Sequence, residues 1–102
     1  MALVDGFEWD DGNRDKCQKH GVSLAEIEAL LQGGVDVFPD PAHSQAETRY
    51  LAIGQTAAKR YVFLAFTIRD HQTKKLIRPI SARYMHAKEV RHYEAQIAKS
   101  QQ

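Results

Sequence analysis

A single cysteine, Cys17, is all that the 102-residue sequence holds, and that scarcity excludes two classes of protein. A small secreted domain usually carries an even set of disulfide-bonded cysteines, and one thiol supports no metal cluster. Long apolar runs are missing too: none approaches the roughly 18 residues needed to span a bilayer. The first residues, Met1-Ala2-Leu3-Val4-Asp5, have neither the basic nor the apolar region of a signal peptide. The expectation is a cytoplasmic protein with no membrane partner. A chain of this length forms one domain over residues 1–102, burying about 60% or more of its unfolded surface without staples. Neither metal nor cofactor is expected, since the adjacent Asp10 and Asp11 project differently and read as a helix cap.

What is present is charge, unevenly placed. Net charge is only +1, yet residues 1–40 carry nine acids against three bases and residues 41–102 carry eleven bases against four acids. Segregation of this kind suggests that one half faces a polyanion and the other meets water or a basic partner. The alternative is that folding interleaves the halves and cancels the charges locally.

Hydrophobic periodicity predicts an α+β fold. Phe7-Glu8-Trp9 reads as a short strand with both aromatics on one face. Asp10 or Asp11 then caps a helix that runs to His20 and ends at Gly21. Its inner stripe of Asp10, Asn13, Cys17 and His20 is polar, and polar residues on such a stripe are more often hydrogen-bonded than used as ligands. Ser23-Leu24-Ala25-Glu26 is a capping box opening a second helix that buries Leu24, Ile27, Leu30 and Leu31 and stops at Gly33-Gly34. Val35 to Phe38 is a short strand, Pro39-Asp40-Pro41 a turn, and Ala42 to Glu47 a polar connection in which His43 and Ser44 could touch substrate, with a solvated loop histidine the default.

Arg49 to Gln55 and Arg60 to Arg69 form a hairpin around Thr56-Ala57-Ala58-Lys59. The second strand is apolar on both faces and belongs at the centre of the sheet. A polar turn over Asp70 to Lys75 leads to a third strand, Leu76 to Tyr84, completing a meander. Strict alternation places Pro79, Ser81 and Arg83 on one face of that strand and Arg78, Ile80 and Ala82 on the other. Pro79 has no amide proton, which points to an edge or a bulge. Ser81 and Arg83, aimed together, suit a phosphate, although a lone surface arginine is often only an ion-pair partner. From about His86 the chain becomes helical, with Ala87, Val90, Tyr93 and Ile97 facing the sheet, and residues 99–102 read as a frayed tail.

Taken together, the segments Phe7-Glu8-Trp9-Asp10, Lys19-His20-Gly21-Val22-Ser23, Glu47-Thr48-Arg49-Tyr50-Leu51-Ala52-Ile53-Gly54, Phe66-Thr67-Ile68-Arg69 and Ile80-Ser81-Ala82-Arg83, followed by Glu89 and Tyr93, resemble the BrnT family of ribonuclease toxins over roughly residues 7–94. The resemblance implies a RelE-like fold: a small antiparallel sheet, a meander of three main strands plus short N-terminal strands, with two N-terminal helices and a C-terminal helix packed on it. It also implies an RNA substrate, inhibition by a BrnA-type ribbon-helix-helix antitoxin, and operator DNA reached through that antitoxin. The family usually has lysine, asparagine and an aliphatic residue where Asn13, Cys17 and Pro79 stand.

RNA supplies its own nucleophile, the 2′-hydroxyl, so the protein need only orient it, move protons and stabilise charge on phosphorus. The residues expected to do so are Arg49, Arg69 and Arg83 around the phosphate, Ser81 as a positioning hydroxyl, and Glu89 either as general base or as the partner that orients an arginine. Tyr93 is expected to hold or stack a nucleobase, with Lys19 and His20 as a fallback acid pair. The rival readings are a toxin-fold partner in a repressor complex that no longer cuts, and an RNA-binding module without chemistry.

Overall fold

The computed structural model describes residues 4–100, so the expectations for residues 1–3 and for Gln101 and Gln102 lie outside the described residues. Five strands form one sheet: β1 (Gly6–Phe7), β2 (Asp36–Pro39), β3 (Arg49–Gln55), β4 (Tyr61–His71) and β5 (Lys74–Tyr84). Their order across the sheet is β1-β5-β4-β3-β2, with β1 parallel to β5 and every other pair antiparallel. Three helices complete the fold: α1 (Asp11–Gln18), α2 (Leu24–Gln32) and α3 (Ala87–Ser100). The architecture is α+β, as the periodicity predicts, and the central strand is β4.

Local chemistry explains the helix boundaries. Asp10 caps α1 in a reciprocal box with Asn13, and Ser23 caps α2 in a box with Glu26, each side chain satisfying amides that the first turn leaves unpaired. α1 stops at Gln18, short of the expected His20, and Gly21 takes φ 89° in the turn that follows. The N-terminal strand is shorter than expected and displaced, covering Gly6 and Phe7 with two flanking bonds, from the Asp5 amide to the Lys75 carbonyl and from the Glu8 amide to the Ile77 carbonyl. At the other end α3 continues to Ser100, into the segment expected to fray. The expected loop over Asp70 to Lys75 contracts to a tight hairpin, because Gln72 adopts φ 57° and lets β4 and β5 pair as far as His71 and Lys74.

One face of the sheet carries the core. Val62, Leu64 and Phe66 of β4, Ala52 of β3 and Ile77 and Ala82 of β5 pack against Cys17, Val22, Ile27, Leu30 and Leu31 from α1 and α2. Burial pushes the Cys17 thiol up to about 11, so it acts as a small apolar core group. Asn13 is also buried, and its amide donates to the carbonyls of Glu8 (3.0 Å) and Pro79 (2.9 Å), tying α1 to β5. His20, expected on the same buried stripe, is exposed instead, because the helix ends before it.

The alternation expected along β5 fails at one point. Ala65 pairs with Ser81 but Phe66 pairs with Pro79, so Ile80 is an extra residue in a β-bulge. The bulge sits where β5 has passed the end of β1, so the proline nitrogen needs no strand partner. Its effect is to put buried Pro79 with Ala82 and Ile77 on the core face, and Arg78 with Ser81 and Arg83 on the opposite face.

Candidate functional site

That opposite face is basic at one end and apolar at the other. The pairings set Arg49, Thr67 and Arg78 in one row across β3, β4 and β5, with Arg69 beside Leu76 one step further on. In the other direction come Leu51, Ala65 and Ser81, then Ile53, Phe63 and Arg83. Arg49, Arg69, Ser81 and Arg83 therefore share a face, joined by Arg78, which simple alternation assigned elsewhere. They do not share one concavity. Phe63, opposite Arg83, lies six residues from Arg69 and four from Thr67 along β4, or about 20 Å and 13 Å at roughly 3.3 Å per residue.

Arg69 and Arg78 belong to a charge cluster at the β1 end. Glu8 accepts from Arg69 (3.0 Å), Arg78 (3.1 Å) and the His71 ring, Asp10 binds Arg78 (2.8 Å), and Glu47 takes Arg69 through two 3.0 Å bonds. Burial alone would raise the Glu8 carboxyl, but the His71 and arginine partners outweigh it and hold it below the ordinary range. Folding thus interleaves the acidic N-terminal stretch with the basic half at this point. The charge segregation seen along the chain is partly cancelled in space.

Arg83 forms a second cluster. It makes paired 2.8 Å bonds to both oxygens of Glu89 and stacks 5.0 Å from the centre of the Phe63 ring. Glu89 also accepts from the His86 amide at the start of α3 (2.9 Å). The Arg83 guanidinium, then that amide, lower the Glu89 carboxyl to about 2. A carboxylate held so low is a weak base, and its geometry is that of an orienting partner for Arg83.

α3 covers the apolar end of the same face without sealing it. Val90, Tyr93 and Ile97 are half-buried, Ala87 is exposed, and among the described residues no α3 side chain is fully buried. Between α3 and the sheet lies a cleft of about 960 Å³, lined by Val37, Phe38, Ile53, Phe63, Tyr93 and Ile97 with Asp36, Glu89 and His92 at its polar edge. Tyr93 packs edge-on against Tyr61 and its hydroxyl bonds Asp36. Burial, then that aspartate, drive the phenol well above its usual range.

Lys19 and His20 are placed apart from all of this. They follow α1 in the layer on the core side of the sheet, both exposed, and the Gly21 backbone beside them faces Tyr84. Among the described residues no group of three or more His, Cys, Asp or Glu side chains is disposed to hold a metal ion, and no helix is long and apolar enough to cross a membrane.

Arg49 differs from the other arginines of this face. Among the described residues it makes no ion pair, and it lines a small cavity of about 340 Å³ with His43, Glu47, Thr67 and Ile80. The loop above it is closed by its own bonds. The Asp40 amide donates to the Arg49 carbonyl (3.1 Å), the Ser44 hydroxyl donates to the Asp40 carbonyl (2.6 Å), and the Arg49 amide donates to Ser44 Oγ (2.8 Å). The imidazole of His43 meets both carboxylate oxygens of Asp40 at 3.1 Å, and Asp40 is buried. Sequence reasoning passed over this pair as loop, although an aspartate three residues before a histidine just after Pro39-Asp40-Pro41 is a signal that a short helical turn brings them together.

Residues 9–89 match the family described as the ribonuclease toxin, BrnT, of type II toxin-antitoxin systems. No curated protein matches the chain. The matched stretch takes in both helices of the core layer, the whole sheet from β2 to β5 and the start of α3 as far as Glu89. The chain therefore belongs to the BrnT family of type II toxin-antitoxin ribonuclease toxins.

Proposed function

We propose that this protein cleaves RNA by directing the 2′-hydroxyl onto the adjacent phosphodiester, on the sheet face that carries Arg49, Arg69, Arg78 and Arg83. Attack forms a bond from O2′ to phosphorus and expels the 5′-oxygen, leaving a 2′,3′-cyclic phosphate and a 5′-hydroxyl. Arginine donors that meet the extra negative charge on phosphorus stabilise that transition state without rearranging. Arg49, which makes no ion pair among the described residues, takes the reacting phosphate, and Arg83, held in position by Glu89, takes a neighbouring phosphate. Ser81 borders the path between them, Arg69 stands one step beyond Arg49 on the far side, and Tyr93 at the apolar cleft stacks a nucleobase. The observation that carries the reading is the β-bulge at Ile80, which brings Arg78 and Arg83 of β5 onto the face that Arg49 and Arg69 already occupy, in a chain of a ribonuclease family.

The partner in this reading is a BrnA-type ribbon-helix-helix antitoxin that blocks the face in the cytoplasm and binds operator DNA, so that the complex represses its own operon. Cleavage assays on the free toxin test the residue roles. Arg83→Ala is expected to slow cleavage by about tenfold or more, whereas Glu89→Gln slows it by less than about tenfold, the scale of one partly exposed ion pair. A Glu89→Gln loss of about a hundredfold or more, beside an active Arg83→Ala, would make Glu89 the base and overturn this assignment.

A further inference from the structure

At the β2–β3 loop an imidazole backed by a buried acid shares a small cavity with a guanidinium that makes no ion pair among the described residues. Asp40, nine-tenths buried, aims its carboxylate at His43, and both oxygens lie 3.1 Å from Nδ1. Since the carboxylate can only accept, that bond puts a proton on Nδ1 and, in the neutral ring, leaves Nε2 as the acceptor, which has no partner among the described residues. A buried carboxylate fixing a histidine in this tautomer is the arrangement by which imidazole serves as a general base. The ring lines the same cavity as Arg49, and Ser44 ties the backbone of Asp40 to that of Arg49, which sets the acid–base pair beside the strand that carries the guanidinium. The carboxylate that lines the cavity, Glu47, is taken up by Arg69 through two 3.0 Å bonds. At about 340 Å³ the cavity stands at the small end of the roughly 300–1,000 Å³ typical of ligand sites, a size for a ribose and its phosphate.

We propose that His43 is the general base of RNA cleavage, aligned by Asp40, with Arg49 as the phosphate ligand beside it. The inference rests on the ribonuclease reading above and moves its reacting centre to the β2–β3 loop. In the step, Nε2 of His43 takes the proton of the 2′-hydroxyl as O2′ bonds to phosphorus, Arg49 donates to the non-bridging oxygens, and the bond from phosphorus to O5′ breaks. Water protonates the leaving 5′-oxygen, and the imidazolium returns its proton to solvent. Asp40 is a positioning residue, since its carboxylate reaches the substrate only through the ring.

The test uses single-turnover cleavage of a mixed-sequence RNA oligonucleotide by the full chain, with the all-deoxy oligonucleotide as an uncleavable binding probe. His43→Gln, which keeps a hydrogen-bonding group for Asp40 but has no basic nitrogen, is expected to lower the rate by about 10²- to 10⁴-fold with probe binding unchanged. His43→Ala is expected to recover activity when imidazole is added, and Arg49→Ala is not. Asp40→Asn should lower kcat and leave KM as it was. Wild-type rates in His43→Gln, or a loss in His43→Ala that imidazole does not restore, would overturn the inference while leaving the ribonuclease reading intact. A wild-type chain that cleaves no RNA would overturn both.

Discussion

Asn13 is where a family lysine is usual, and the structure gives it work that can be measured. Its side chain makes three bonds: Nδ2 to the carbonyls of Glu8 (3.0 Å) and Pro79 (2.9 Å), and Oδ1 from the Asp10 amide (2.7 Å). Asn13→Ala removes all three and strands the Pro79 carbonyl in a buried site. Each bond is worth about 1 kcal/mol net, and an unsatisfied buried acceptor costs about 1–3 kcal/mol. Alanine recovers about 0.5 kcal/mol as the better helix former. With the Pro79 bond counted once, as the stranded acceptor, the net expectation is a loss of about 2.5–4.5 kcal/mol out of the roughly 5–15 kcal/mol available to a domain of this size. Urea unfolding followed by Trp9 fluorescence and circular dichroism would show it as a lower midpoint at unchanged slope. In a thermal scan it would appear as a Tm lower by about 10–25 °C. A destabilisation below about 1 kcal/mol would refute the claim that Asn13 pins α1 to the bulged edge of β5.

Acid should loosen the fold through its ion-paired carboxylates. Glu8 is held below its usual range and Glu89 falls to about 2, so their contribution is complete above the ordinary glutamate value of 4.5 and is lost as pH falls toward 2. Unfolding midpoints that stay constant across that window would contradict the pairing. Gly54 stands against α2, where an added Cβ would meet Val35 Cγ1 at 2.8 Å and Leu30 Cδ2 at 2.9 Å. Gly54→Ala should lower stability by about 1 kcal/mol, because overpacking costs roughly 1–3 kcal/mol and exceeds the 0.5–1 kcal/mol that losing a strand glycine returns. A variant more stable than the parent in the same urea titration would contradict this.

Signals confined to a few neighbouring residues carried the parts of the fold that the sequence made legible. The Ser23–Glu26 box placed the start of α2 within one residue, and alternation from Arg49 to Gln55 placed β3 with both ends correct. The two-sided apolar run of β4 placed it at the centre of the sheet. What failed depended on partners far along the chain. Nothing near Glu8 announces Arg69 and Arg78 as its companions, more than sixty residues away. Alternation along β5 broke at Ile80, where the extra residue is visible only once β4 is laid beside it, although Pro79 had warned of a bulge. The candidate site was legible as a set of arginines and not as a geometry. Arg83 and Glu89 are the closed pair that was one of two options for them, Lys19 and His20 lie across the sheet, and the His43–Asp40 pair needed the turn after Pro41 to become visible.

The most direct measurement is the chemistry of the RNA ends left by the purified toxin, read with EDTA present, for the wild type and for Arg49→Ala. A 2′-hydroxyl mechanism on the arginine face predicts 2′,3′-cyclic phosphate and 5′-hydroxyl ends that EDTA does not suppress, and a rate lower by about 10²-fold or more when Arg49 is removed. Ends bearing 5′-phosphate, or an Arg49→Ala variant as fast as the wild type, would contradict it.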